Sequence, residues 1–140
     1  MGSINTGRVV LGGLLAAVIV FVSTAARILV LREQIIGFIE NHGLQGIDQT
    51  EGIIFLAVYS AALGVLIVWL YAALRPRFGA GSTTAILGGL FYWISIDLVP
   101  YAALLRFDLI PIGGVLVHWI WTVVEIPVAS LVGAWVYQEE

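Results

Sequence analysis

Three residues that seldom enter hydrocarbon stand inside otherwise apolar stretches. Asp97 lies in FYWISIDLVPYAALLRFD (91–108), and His118 and Glu125 lie in HWIWTVVEIPVASLVGAW (118–135). A carboxylate at the centre of a spanning helix costs about 2.5–3.5 kcal/mol on insertion scales, so it needs a partner or a task. The tasks open to such residues are ion, proton or ligand handling, hydrogen-bonded locking of helices, and contact with another membrane subunit. At 1.5 Å per helical residue from boundaries near Arg27, Gly52, Leu105 and Gly113, His118 falls about 8 Å deep, Tyr59 about 10 Å, Asp97 about 12 Å and Glu125 about 18 Å. Arg27 sits at the lip, above Ser23 and Thr24. Nearly all of the intramembrane polarity therefore sits in the outer half. The inner half reads Gly12, Gly13, Leu14, Leu15, Val65, Leu66 and Ile67, with no charge.

Spacing orders this ladder. His118, Thr122, Glu125, Ala129 and Gly133 recur every three or four residues and form one helical stripe, polar above and small below. Small residues admit close helix contact, so Gly12, Gly13, Ala129 and Gly133 are the expected packing positions and the stripe should face the bundle. Pro127 cannot donate to the carbonyl of Val123, and Pro100 likewise frees that of Ile96. A bend beside a carboxylate can host a water or an ion. Asp97 and Tyr101 share a face of their helix, so one of them is the expected partner of Glu125. With Arg27, His118 and Tyr59 they should form a polar cup open to the outside.

His118 between Trp119 and Trp121 also has the look of an axial ligand for haem or a chlorophyll-type pigment. A lone histidine near a boundary is more often a hydrogen-bonding residue, so no cofactor is expected. The aromatic residues are expected mainly at span ends or in bundle packing. No metal is expected either, because His42 lacks ligand spacing to His118. There is no His-Glu-x-x-His, no Gly-x-Ser-x-Gly, no phosphate loop and no cysteine. The chain reads as non-enzymatic.

Elements of a particular kind must position these residues. The 140-residue chain is 61% hydrophobic and 11% charged, with a mean hydropathy of +1.05. A water-soluble domain could not hide that much apolar surface. Its 6 basic residues are all arginine and its net charge is −3, which gives nucleic-acid binding no electrostatic basis. Four apolar segments, about 9–26, 53–74, 84–105 and 112–136, each approach or exceed the ~20 residues that cross ~30 Å of hydrocarbon. The expectation is a single all-α domain over 1–140, a polytopic four-helix transmembrane bundle in the lipid bilayer. A β-barrel would alternate in short segments instead.

Arg8, Arg75 and Arg77 share one side. Arg27, Arg32 and Arg106 share the other, diluted by Glu33, Glu40, Asp48, Glu51 and Asp108. The tight RPR cluster (75–77) places both termini in the cytoplasm. The first 26 residues imitate a signal peptide and MGSINT loosely fits the myristoylation pattern, but the segment is expected to remain as a span. In REQIIGFIENHGL (32–44), Ile35, Ile36, Phe38 and Ile39 recur near helical spacing and Gly43 is a candidate C-cap. This is either a short helix on the membrane surface or a capped extension of the first span. LGGL recurs at 11–14 and 87–90, and VWLY (68–71) is echoed by AWVY (134–137), the pattern of two hairpins in parallel repeat.

WLYAALRPRFGAG (69–81), VVEIPVASLVGAWVYQEE (123–140) and GRVVLGGLLA (7–16) resemble a group of small bacterial inner-membrane proteins of unknown function. The likeness extends over most of the chain. It implies four helices in a bacterial plasma membrane and no particular activity. The first span of that group often carries a carboxylate or Asn in its second half, where this chain has FVSTAARIL (21–29), so the resemblance supplies no polar partner from the first helix. The functional expectation is an accessory or assembly component of a membrane complex, with other membrane subunits or copies of itself as partners. The alternative is a small transporter, channel or ligand- or pigment-binding protein using the outward cup.

Overall fold

The protein is described by a computed structural model covering residues 4–43 and 49–137. Gly2, in the myristoylation-like MGSINT, Asp48 of the outer loop and the last three residues lie outside the described residues. Four helices are long and apolar enough to cross a membrane, and the described residues contain no strand. They are α1 (Thr6–Val30), α3 (Gln49–Phe78), α4 (Ser82–Arg106) and α5 (Ile112–Val136). Each begins or ends with the turn chemistry its sequence supplies. Asn5 caps α1 by accepting the backbone N–H of Arg8 at 3.0 Å. Gly79 and Gly81 turn the chain between α3 and α4 at φ of 83° and 138°. Pro111 precedes the first residue of α5.

A shorter helix, α2 (Arg32–Asn41), follows α1 after a break at Leu31 and buries no residue. The break is one residue long, with the N–H of Leu31 on the Arg27 carbonyl at 2.9 Å and that of Ile35 on the Leu31 carbonyl at 3.0 Å, so α2 follows directly on the first span. Gly43 ends it at φ 61°, with its N–H on the carbonyl of Glu40 at 3.2 Å. Phe38 of α2 and His42, just past its end, face Leu105, Asp108 and Ile112 across a cavity of about 500 Å³ at the α2 end of the bundle.

The spans run up and down. Position 12 lies against 133 and 68, 13 against 65, 64 against 17, and 89 against 127, so neighbouring helices are antiparallel. Glycine makes these approaches. A Cβ on Gly133 would strike the Val68 side chain, and one on Gly64 would strike the Gly13 carbonyl. One on Gly89 would come within 2.8 Å of the Pro127 Cα. Ala16, Ile67, Val68, Ala72, Ala85 and Ala129 are sealed inside. Leu14, Leu15 and Leu66, placed by sequence in the inner lining, instead face outward as lipid-covering residues. An apolar chain solvated by acyl chains has no reason to bury its leucines, so small residues take the contacts.

The two hairpins, α1–α3 and α4–α5, use their echoed motifs alike. Gly13 lies on α3 and Gly89 on α5, each within its own hairpin. Gly12 lies on α5 and Gly88 on α3, each across to the other hairpin. Tyr71 and Tyr137, the last residues of VWLY and AWVY, meet edge to face with ring centroids 6.0 Å apart. Arg75 lies 5.9 and 5.4 Å from those two rings. The same tyrosines tie down the opposite end of the bundle from α2, since their hydroxyls accept the N–H of Gly81 and Asn5 respectively, each at 3.3 Å.

Candidate functional site

α4 is not a uniform α-helix. Ser82–Trp93 and Val99–Arg106 are α-helical, but Ile94–Leu98 widen into a π-turn in which the N–H of Val99 reaches the carbonyl of Ile94. Pro100 follows at once, and its missing N–H and bulky ring are what a widened turn accommodates. The turn presents Asp97 to α5. Its carboxylate Oδ1 is 2.7 Å from His118 Nε2, and its backbone carbonyl accepts the indole N–H of Trp119 at 3.4 Å. Two consecutive residues of α5 thus hold the π-turn.

The other imidazole nitrogen, Nδ1, lies 2.7 Å from Nη1 of Arg27 on α1. A guanidinium only donates, so Nδ1 must accept. The proton of the neutral ring is then on Nε2, where it is donated to Asp97. The ring of Tyr101 stacks on His118 with centroids 4.2 Å apart and planes 19° from parallel. Arg27, His118 and Asp97 form one chain across three helices, a cation and a carboxylate joined through a neutral imidazole. Each charge is compensated within the chain, which is how buried ions are tolerated.

Glu125 lies two turns below His118 on α5 and is only 7% exposed. Its partner is Ser23 of α1, whose hydroxyl donates to Oε2 at 2.8 Å. Ser23 in turn accepts the indole N–H of Trp121 at 2.8 Å. Glu125 does bond a polar group on another helix, but that group is Ser23 and not the expected Asp97 or Tyr101. The reason is register: Asp97 sits level with His118, a full turn or more above Glu125, and is consumed there. The first helix, from which the resemblance supplied no partner, provides both Ser23 and Arg27. Tyr59 stands at the edge of the group. It is within electrostatic range of Asp97, Tyr101, Arg27 and Glu125, yet it is 42% exposed and stacks on Phe55 of its own helix.

Tryptophan N–H groups are the part that spacing left unassigned. Trp93 donates to the Thr122 hydroxyl at 2.9 Å, and Thr122 donates back to the His118 carbonyl at 2.9 Å. With Trp119 and Trp121, three indoles serve the ladder instead of only packing, while Trp135 is 85% exposed. Trp121 precedes Glu125 by four residues, and that shared face was the available signal. Pro127 also has a use other than hosting an ion: it is the surface on which Gly89 closes.

The space beside Glu125 does not open outward. A cavity of about 490 Å³ lies between α1 and α5, with Ile19, Val117, Val128 and Trp121 as walls and Ser23 and Glu125 as its floor. Its rim residues Ile120 and Val124 are 71% and 62% exposed on the lipid-facing side of α5, so the opening is lateral. The described residues contain no group of three or more His, Asp or Glu placed to hold a metal. No protein-family model, curated protein or solved structure matches the chain.

Proposed function

We propose that this four-helix membrane protein is a non-enzymatic accessory or assembly component of a larger complex in a bacterial plasma membrane, with both termini cytoplasmic. The observation that carries the reading is how His118 spends its ring. An Asp–His pair is half of a nucleophile-activating triad, but its second nitrogen must then face a group that can lose a proton. Here that nitrogen faces Arg27, which does not deprotonate and does not attack. Haem or a chlorophyll-type pigment would have to displace Arg27 or Asp97 to reach the same ring. The polar residues close on one another and hold three helices in fixed register, as a stable docking partner requires. Glycine contacts shut the inner half, which argues against a solute path through a single copy. Other membrane subunits, or further copies of the chain, are the proposed partners.

The test is purification of the tagged chain from its native membrane in mild detergent, followed by native gel analysis. The expected result is a band of fixed stoichiometry containing the chain with another membrane protein or with itself. A lone monomer that conducts or accumulates a solute after reconstitution would replace this reading with the transporter alternative.

A further inference from the structure

The cavity between α1 and α5 has two properties that acyl chains of the bilayer do not match. Its walls are apolar and open sideways, yet its floor is the Ser23–Glu125 pair. The bond from Ser23 uses one of the two carboxyl oxygens, and a carboxyl group offers further sites to an occupant. Glu125 lies about 18 Å below the outer boundary at 1.5 Å per residue. A phospholipid cannot bring its head group there, because a charged group at that depth is too costly. A plain acyl chain would fill the walls and leave the second carboxyl oxygen of Glu125 without a polar partner. A neutral hydroxyl meets both conditions. It costs little to bury once bonded, and it donates to a carboxylate or accepts from a carboxylic acid, so it suits either form of Glu125. The volume of about 490 Å³ falls within the ~300–1,000 Å³ of small-molecule sites.

We infer that this groove is a binding site for a neutral long-chain alcohol of the membrane, its chain lying along Ile19, Val117 and Val124 and its hydroxyl bonded to Glu125 and Ser23. This inference does not rest on the partner proposed above, so the purified chain suffices to test it. The chain is reconstituted in phosphatidylcholine vesicles and photolabelled with hexadecanol bearing a diazirine on its chain. The matching diazirine alkane serves as the comparison. Labelling by the alcohol should saturate, map to 117–128 and be competed by unlabelled hexadecanol, while the alkane labels weakly and without saturation. Val124→Trp fills the groove from the lipid side, outside the packed core, and should remove the saturable part. Glu125→Leu should lower the preference for alcohol over alkane by about three- to twentyfold, the worth of one hydrogen bond inside a membrane. Equal, unsaturable labelling by both probes would overturn the proposal. So would saturable labelling that Val124→Trp leaves intact, and this second variant decides the matter even where Glu125→Leu fails to fold.

Discussion

The strongest constraint at the residue scale is that an imidazole has two nitrogens and both are committed. Arg27 fixes Nδ1 as the acceptor, which leaves Nε2–H for Asp97. The three groups should therefore act as a unit. Asp97→Asn keeps an acceptor for His118 but strips the charge that balances Arg27. Arg27→Leu does the converse. Each single change should destabilise the bundle, and the double variant should cost less than the sum, with a coupling of about 0.5–3 kcal/mol. Reversible unfolding in mixed micelles measures this, and additivity of the two changes would remove the linked chain. The lower pair is predicted to be milder. Ser23→Ala should cost about 0.6–1.7 kcal/mol, the range for hydrogen bonds between membrane helices. Glu125→Leu should cost no more, because the apolar replacement also relieves desolvation. Thermal unfolding of the two variants checks the order, and a loss of several kcal/mol in Glu125→Leu would contradict it. Composition and depth made Asp97, His118 and Glu125 stand out as residues in need of partners. Which partner each one takes depends on rotation and level between helices, which no single-helix pattern contains. Ser23 looked like an ordinary small residue until α1 and α5 were set in register.

The same limit applies to whole elements. Hydropathy located all four spans, since nothing but lipid can solvate such segments. It ended two of them a turn early and a third one residue early, because apolar character stops at the first polar residue while helical hydrogen bonding continues past it. The π-turn at Ile94–Leu98 had only Pro100 as a signal, and a proline forecasts a disturbed turn without saying which kind. Periodicity named Gly12, Gly13, Ala129 and Gly133 as packing positions, and all four are buried. It passed over Gly64 and Gly89, whose contacts are as tight, because neither belongs to an obvious stripe. These contacts predict a sharp contrast along α5. Gly133→Ala places a methyl against the Val68 side chain and within 2.9 Å of the Gly12 carbonyl. It should lose about 1–3 kcal/mol, as overpacked cores do. Gly114→Ala, near the start of the same helix, has nothing within 4 Å of the new methyl. It should be neutral or slightly stabilising, through the better helix propensity of alanine. Melting temperatures of the two variants in one detergent make the comparison, and equal losses would mean that the helices do not meet at Gly133.

On the scale of the molecule, the up–down order of four spans puts the start of α1 and the end of α5 on one side of the membrane, together with the α3–α4 turn. The last turn of α3, leading into it, carries Arg75 and Arg77, and the start of α1 carries Arg8. The opposite end carries Arg27, Arg32 and Arg106, so arginine number alone does not choose a side. Engagement separates the two sets. Arg27 is drawn into the bundle by His118, and the described segments around Arg32 and Arg106 hold Glu33, Glu40, Glu51 and Asp108. Arg8 and Arg77 stay exposed with no acidic residue between 52 and 96. Cationic segments near span ends are retained in the cytoplasm, and the proposed topology puts the Arg75–Arg77 segment there on that ground. The chain has no cysteine, so one introduced thiol reports a single position without background. Ser82, at the start of α4, and Gln49, at the start of α3, mark the two sides and are exposed. In intact cells a membrane-impermeant maleimide should label Gln49→Cys and spare Ser82→Cys until the cells are opened. Labelling of position 82 alone would invert the molecule. The Arg27–His118–Asp97 chain would then lie in the cytoplasmic half, and the RPR cluster would have to be explained by something other than retention.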